Sequence, residues 1–412
     1  MRPAQRWIER GGEEEASANS ADLPRDDQPA DRIGQYHLEQ LLGEGGFGSV
    51  WRADQHEPVR RKVALKILRP GMDTGEFLAR FEQERQALAL MEHPNIARLY
   101  DAGTSPTRRP YLVMELVPGV PITQYCDEHD VSTRDRLLLI TEVSGAIHHA
   151  HQKGIVHRDL KPSNILVSCD EDGKAVPKII DFGIARALEG PLTDRTLYTQ
   201  FDRMIGTPAY MSPEQAEANA ADIDPRSDIY SLGVLLYELL VGRTPFESTD
   251  MLRVGPEGIR QMIREMEPVK PSTRLKSLPE RELTSTAARQ QTNGGELIHI
   301  LLGDLDWIVM KCLEKDPARR YASAGGLAMD LRRYLASEPI VARPPSTVYR
   351  IRKSIRRNKP VFITLSLIVA ALALGVAGVI LVQYRANLEY RQRLYLSEIG
   401  RARQCLAGTS IH

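Results

Sequence analysis

The chain has 412 residues, more than one average domain, and an ordinary globular composition. Its 54 basic and 54 acidic side chains cancel to a formal net charge of +0, so whole-chain charge gives no reason to expect a nucleic-acid partner. Cys126, Cys169, Cys312 and Cys405 stand far apart without a CxxC spacing, which argues against a disulfide framework or a metal cluster and suits a reducing compartment.

Residues 1–30 are rich in Glu, Asp, Ala and Pro, lack a basic-then-apolar signal sequence, and read as a disordered leader. From Tyr36 to Val50 the pattern is strand, glycine turn, strand, containing the run Gly43, Glu44, Gly45, Gly46, Phe47, Gly48, Ser49, Val50. Glycines there would let backbone amides approach phosphate oxygens where a Cβ would collide. A dinucleotide-binding turn would require a helix next, whereas Ser49 to Arg52 continues as strand. Val63 to Leu68 is a further strand, with Ala64, Lys66 and Leu68 on one face and Val63, Leu65 and Ile67 on the other. A lysine inside an apolar strand calls for an anion. The helix expected from Glu76 to Met91 offers Glu84 on the same stripe as Phe77, Phe81, Leu88 and Met91. Tyr111 to Met114 is strand-like and is broken at Pro118 and Gly119.

Beyond residue 130 the pattern turns helical. Ile140, Val143, Ile147 and Ala150 form one buried helix face, and Asp228 to Val241 reads as a buried central helix. Residues 268–296, polar and rich in Pro, Ser, Thr and Arg, are expected to form a mobile surface insertion. Strands first and helices after imply an α+β chain of two lobes, a small sheet-rich one and a larger helical one, and no internal repeat is visible. Between the two helical stretches lies His157, Arg158, Asp159, Leu160, Lys161, Pro162, Ser163, Asn164, followed 17 residues later by Asp181, Phe182 and Gly183. Two carboxylates, a lysine and an amide at this spacing can hold a divalent ion and a polyphosphate while a hydroxyl attacks.

Val361 to Val382 is a run of 22 uncharged residues. As a helix it would extend roughly 33 Å at 1.5 Å per residue, against a bilayer core of about 30 Å. Arg350, Arg352, Lys353, Arg356, Arg357 and Lys359 precede it, and Arg385, Arg391 and Arg393 follow. The positive-inside rule then puts residues 1–360 in the cytoplasm and 383–412 outside, a tail too short for a stable core unless stapled.

These motifs resemble protein kinases over about residues 34–340. The chain is similar to bacterial eukaryotic-like (Hanks-type) serine/threonine protein kinases anchored by a single membrane pass. The resemblance implies a bilobal protein kinase fold, with a β-rich N-lobe at 34–117 and a helical C-lobe at 118–340. A basic juxtamembrane segment at 341–360, a transmembrane helix at 361–382 and a short extracytoplasmic tail at 383–412 would follow. It implies ATP and Mg²⁺, with Mn²⁺ as a substitute, and protein substrates with Ser or Thr acceptors. In catalysis Asp159 would orient the substrate hydroxyl and take its proton, Lys161 would neutralise the transferred phosphoryl group, and Lys66 would pair with Glu84 to position the phosphates. Asn164 and Asp181 would hold the metal. Leu42, Gly43, Glu44, Gly45, Gly46, Phe47, Gly48, Val50, Ala64 and Lys66 would contact the nucleotide, with Met114 as gatekeeper, Glu115 and Val117 in the hinge, and Asn164 below. Thr207 would contact Asp159 and Lys161, Glu214 would pair with Arg320, and Asp228 would cap its helix while holding the catalytic-loop backbone.

By the same resemblance Arg158 would receive a phosphate placed by autophosphorylation on Thr193, Thr196 or Thr199. Small residues one turn apart in the span, Ala371 with Gly375 and Ala373 with Ala377, permit a homodimer. The alternative is a nucleotide-binding pseudokinase or receptor scaffold, against which Lys66, Asp159, Asn164 and Asp181 all stand intact.

Overall fold

The computed structural model describes residues 31–45, 48–69, 91–105, 109–182, 208–217, 224–344, 346, 349, 353 and 359–408. The helix expected at 76–91, apart from Met91, lies outside them, as do Glu84, Gly46, Phe47, Thr193, Thr196, Thr199 and Thr207. The residues separate into two units, Met1–Leu331 and Arg332–His412.

The first unit begins with an antiparallel sheet of β1 (Arg32–Ile33), β2 (Tyr36–Gly45), β3 (Gly48–Gln55), β4 (Arg61–Leu68), β5 (Leu99–Thr104) and β6 (Pro110–Glu115). Their spatial order is β1-β2-β3-β4-β6-β5. The period of two decides what each face does. Val63, Leu65 and Ile67 enter a core with Tyr36, Leu38, Trp51, Ala53 and Val113. The opposite face carries two cross-strand rows, Val50–Lys66–Leu112 and Arg52–Ala64–Met114.

Gly48 shows a glycine required by the fold. Its φ is +146°, and a Cβ there would stand 1.9 Å from the Ile67 carbonyl oxygen on the neighbouring strand. Gly43 and Gly45 would meet nothing within 4 Å. Their freedom from side chains is therefore not a packing demand.

The helical part is organised around α1 (Ile122–Glu128), α2 (Thr133–Gln152), α3 (Pro213–Ala216) and α4 (Arg226–Val241). In α2, Ile140, Val143, Ile147 and Ala150 are fully buried, as the 3-4-3 spacing requires. Helix α4 is buried on nearly all sides, and Gly242 in a left-handed conformation ends it. Gly233 lets α4 approach the later helix Asp304–Cys312, because a Cβ there would lie 2.4 Å from Cys312 Cβ. We expect Gly233→Ala to lower stability by about 1–3 kcal/mol, read as a shifted denaturation midpoint with unchanged slope.

A second sheet joins β7 (Val120–Pro121), β8 (Ile165–Cys169) and β9 (Ala175–Ile179) in that order. Strand β9 also reaches the first sheet's side of the molecule. The Ile179 amide donates to the Asn95 carbonyl at 2.8 Å, and the Ala97 amide donates to the Ile179 carbonyl at 2.9 Å. The Asn95 side chain adds a bond to the Pro177 carbonyl at 2.8 Å.

Residues 268–296 differ from expectation. They form three short helices, α5 being set aside for Ser248–Glu265: α6 (Pro271–Lys276), α7 (Glu280–Ala288) and the start of α8 (Gly294–Leu301). Leu275, Ala287 and Leu297 are fully buried. The physical reason is that several of the segment's polar residues serve as internal connectors. Ser272 donates to Asp306 at 2.6 Å, while Gln290 accepts from Thr133 at 2.9 Å and donates to the Leu240 carbonyl at 2.9 Å.

In the second unit, helix α11 (Lys359–Gly408) runs for 50 residues, following α9 (Asp304–Cys312) and α10 (Ala324–Leu335) in chain order. It contains a segment long and apolar enough to cross a membrane, with its apolar side chains from Leu367 to Val382 exposed. The helix continues past the expected end of the span at Val382 through most of the tail.

Candidate active site

The loop after α2 is held from below by one carboxylate. Asp228 accepts the His157 and Arg158 amides, each at 2.8 Å, and the His151 ring nitrogen at 2.8 Å. Burial opposes ionisation of Asp228, but the His151 hydrogen bond and the neighbouring histidines hold its carboxyl below the usual carboxylate range. The expected helix cap is corrected here. Pro225 occupies the cap position of α4, and Asp228 sits in the first turn, its oxygens aimed at the loop. Both of its oxygens are already spoken for by that loop and by His151.

His157 is fully buried, and burial pushes its imidazole below the ordinary value. One ring nitrogen faces the Ile180 carbonyl at 3.2 Å, the other accepts the Asp159 amide at 3.3 Å, and the ring lies 4.7 Å from that of Phe182. His157 thus ties the loop to the segment bearing Asp181. Arg158 and Asp181 both adopt left-handed backbone, with φ of 65° and 60°. Such non-glycine conformations cost on the order of 1–3 kcal/mol each and persist where surrounding bonds over-determine them.

Above this floor the expected catalytic side chains converge. Lys161 Nζ lies 2.8 Å from Asp159 Oδ2. Asn164 donates through Nδ2 to the Asp159 carbonyl at 2.8 Å and to Oδ2 at 3.2 Å. The Ile180 amide donates to the Asn164 carbonyl at 2.9 Å, so Asn164 and Asp181 are brought side by side through backbone pairing. Lys66 from β4 forms an ion pair with Asp181. The pairing expected between Lys66 and Glu84 falls outside the described residues on the glutamate side.

Met114 lines a small hollow with Met91, Ala97, Leu99, Leu112, Asp181 and Phe182. By the strand rows Val50, Ala64, Lys66 and Met114 share the face above it. Leu42, Gly43, Glu44 and Gly45 form the end of β2, with Gly43 opposite Val50. At the sheet's exit Glu115 donates its amide to the Arg98 carbonyl at 2.9 Å and pairs its carboxylate with Lys178. The nearby Val117 is buried.

Away from the cleft, Glu214 and Arg320 form a two-pronged pair at 2.6 and 2.7 Å. Four residues of this region had no role assigned from sequence: His151, His157, Lys178 and Gln215. For His157 a signal existed, since it abuts Arg158 and Asp159. The long-range partners of the other three come from distant segments; for Gln215 the spacing from Ser212 gives a local capping-box signal, which marks a helix start and not the contact with Arg158.

A protein kinase domain model matches residues 36–331. The serine/threonine-protein kinase PknB of Mycobacterium tuberculosis H37Rv is 34% identical over 316 residues, covering 76% of this chain and 44% of that protein. PknB of Mycolicibacterium smegmatis is 36% identical over 304 residues, covering 73% and 43%. The chain therefore spans less than half the length of these relatives. The crystal structure of the M. tuberculosis PknI kinase domain aligns with a TM-score of 0.52 at 23% identity, covering 74% of this chain and 99% of that one, a likeness of fold alone. Two lobes, a convergent cleft and a match over residues 36–331 lead to one statement: the chain belongs to the protein kinase domain family.

Proposed function

We propose that this chain transfers the γ-phosphoryl group of ATP to serine or threonine hydroxyls of proteins. The observation that carries the reading is the meeting of Lys66, Asp181, Asn164, Asp159 and Lys161 in one cleft from three separate segments. Asp159 takes up the acceptor hydroxyl's proton as its oxygen bonds to the γ-phosphorus and the bond to ADP breaks. Lys161, beside Asp159, balances charge on the moving phosphoryl group. Lys66 holds phosphate oxygens at the cleft roof, on the face where Val50, Ala64 and Met114 would meet the base.

Asn164 and Asp181 supply hard oxygen donors suited to Mg²⁺ or Mn²⁺; the Asn164 amide nitrogen is turned toward Asp159, and its oxygen, which accepts a long 3.5 Å contact from the Ser163 hydroxyl, has a second lone pair for a cation. Bound there, the ion would neutralise phosphate charge. A lysine with Thr-bearing Gly206 to Pro208 downstream favours Ser and Thr over Tyr as acceptors, as the resemblance implies. The apolar stretch of α11 would tether the kinase domain to the cytoplasmic face of the cell membrane, where copies would phosphorylate one another on Thr193, Thr196 or Thr199. Lys66, Asp159, Asn164 and Asp181, all intact, disfavour the pseudokinase reading.

The test is phosphoamino-acid analysis of the protein and an added basic protein after incubation with radiolabelled ATP. Phosphoserine and phosphothreonine should appear with Mg²⁺ and vanish with excess chelator. Label mainly on tyrosine, or none with Mg²⁺, would overturn the assignment.

A further inference from the structure

Arg158 is gripped at both of its peptide groups, by side chains from two different elements. Its amide donates to Asp228 of α4 at 2.8 Å. Its carbonyl accepts from the side-chain nitrogen of Gln215, in α3, at 2.8 Å. That carbonyl belongs to the peptide bond leading into Asp159, so its direction sets where the Asp159 backbone starts. A left-handed φ of 65° at Arg158 needs such clamping, because the relaxed alternative turns the peptide away.

Gln215 is itself held without slack. It is buried, its side-chain oxygen accepts the Ser212 amide at 3.0 Å, and its own amide donates to the Ser212 hydroxyl at 3.3 Å, a reciprocal capping box. The preceding Glu214 is fixed by Arg320. The amide group of Gln215 thus uses its oxygen inside α3 and its nitrogen across to the catalytic loop. A carboxylate could do the first and not the second.

We propose that Gln215 is a positioning residue for phosphoryl transfer, the clamp through which the segment ending in α3 sets the direction of the Arg158–Asp159 peptide. This rests on the phosphotransfer reading above. Charge around the amide comes from Arg158 and Asp228, from the Glu214–Arg320 pair, and from Glu217 with Arg264 of α5.

Two variants of the full chain test it. Gln215→Met keeps the length and removes both bonds, and kcat should fall about 10- to 100-fold, with the KM for ATP unchanged within about twofold. Gln215→Glu keeps the cap and loses the cross-bond while ionised. Its protonated form can donate to the Arg158 carbonyl, so its kcat relative to wild type should rise as pH falls through the carboxyl's titration and approach wild type on the acid side. Hydrogen exchange at the Asp159 amide gives a readout independent of activity and should quicken in Gln215→Met. A merely structural role predicts a lower melting temperature with no pH-dependent recovery, and that outcome overturns the proposal. Wild-type exchange rates and kcat in Gln215→Met would do so too. Should the wild type transfer no phosphate, the function assignment fails, and the exchange measurement still decides whether Gln215 clamps the loop.

Discussion

Asp159→Asn should reduce kcat for phosphoryl transfer by about 10²- to 10⁴-fold, the range typical for loss of a positioned proton acceptor. The substitution preserves volume, and its side-chain oxygen can still accept from Asn164 and face Lys161, which now stand 3.2 and 2.8 Å from Oδ2. What it removes is the charge and basicity that draw a proton from the acceptor hydroxyl. The Asp159 backbone contacts, its carbonyl to Asn164 and its amide to His157, do not involve the carboxylate. Nucleotide affinity should therefore stay within about twofold, and the thermal midpoint within about 2 °C. A single-turnover assay with labelled ATP, run beside equilibrium nucleotide binding, separates these effects. Transfer at more than half the wild-type rate would remove Asp159 from the proposed chemistry.

Arg320→Ala should be among the most damaging substitutions to stability in the chain. The guanidinium is fully enclosed and makes five hydrogen bonds, two to Glu214 and one each to the carbonyls of Arg226, Glu314 and Lys315. It also lies 5.1 Å from the centre of the Tyr230 ring. Removing one member of a buried pair leaves the other charge uncompensated, worth about 3–5 kcal/mol. In a domain of this size the midpoint should drop by roughly 10 °C. Arg320→Lys should recover only part of the loss, because a single ammonium cannot span two carboxylate oxygens and three carbonyls. Combining Arg320→Ala with Glu214→Gln should be milder than the sum of the two single losses, as expected for groups that share one interaction. Strict additivity would show that the pair is not the source of the effect. Denaturant titration at constant pH measures all four proteins on one scale.

What could be read from sequence followed from periodicity and from charged residues in apolar settings. Lys66 in Val63 to Leu68, the 3-4-3 face of α2 and the apolar run of α4 each contrast with their surroundings, and each sits where that contrast implied. Buried polar residues left no such mark. Ser272, Gln290 and Gln215 look like surface residues in any hydropathy pattern, yet each bridges segments remote in sequence. The 268–296 segment looks like a surface insertion in sequence for this reason, since its polarity faces inward at its key contacts. In sequence Gly48 is indistinguishable from its neighbouring glycines, while its own constraint comes from the Ile67 carbonyl one strand away. Asp228 reads in sequence as a partner of the loop, but the aim of its oxygens at the His157 and Arg158 amides goes with the left-handed turn at Arg158, which a linear pattern does not contain.

The pairing of Asn95 and Ala97 with Ile179 has a mechanical consequence. Among the described residues, the backbone joins the sheet-rich lobe to the helical one by the covalent passage from β6 into β7 and by this hydrogen-bonded seam, beside the side-chain pairs Lys66–Asp181 and Glu115–Lys178. Two fixed points define an axle. Rigid motion that leaves both intact is rotation about the line between them, with displacement growing with distance from it. Sliding of one lobe over the other would break the seam, whereas rotation would carry the far rim of the cleft and leave Asp181, two residues beyond Ile179, near the pivot.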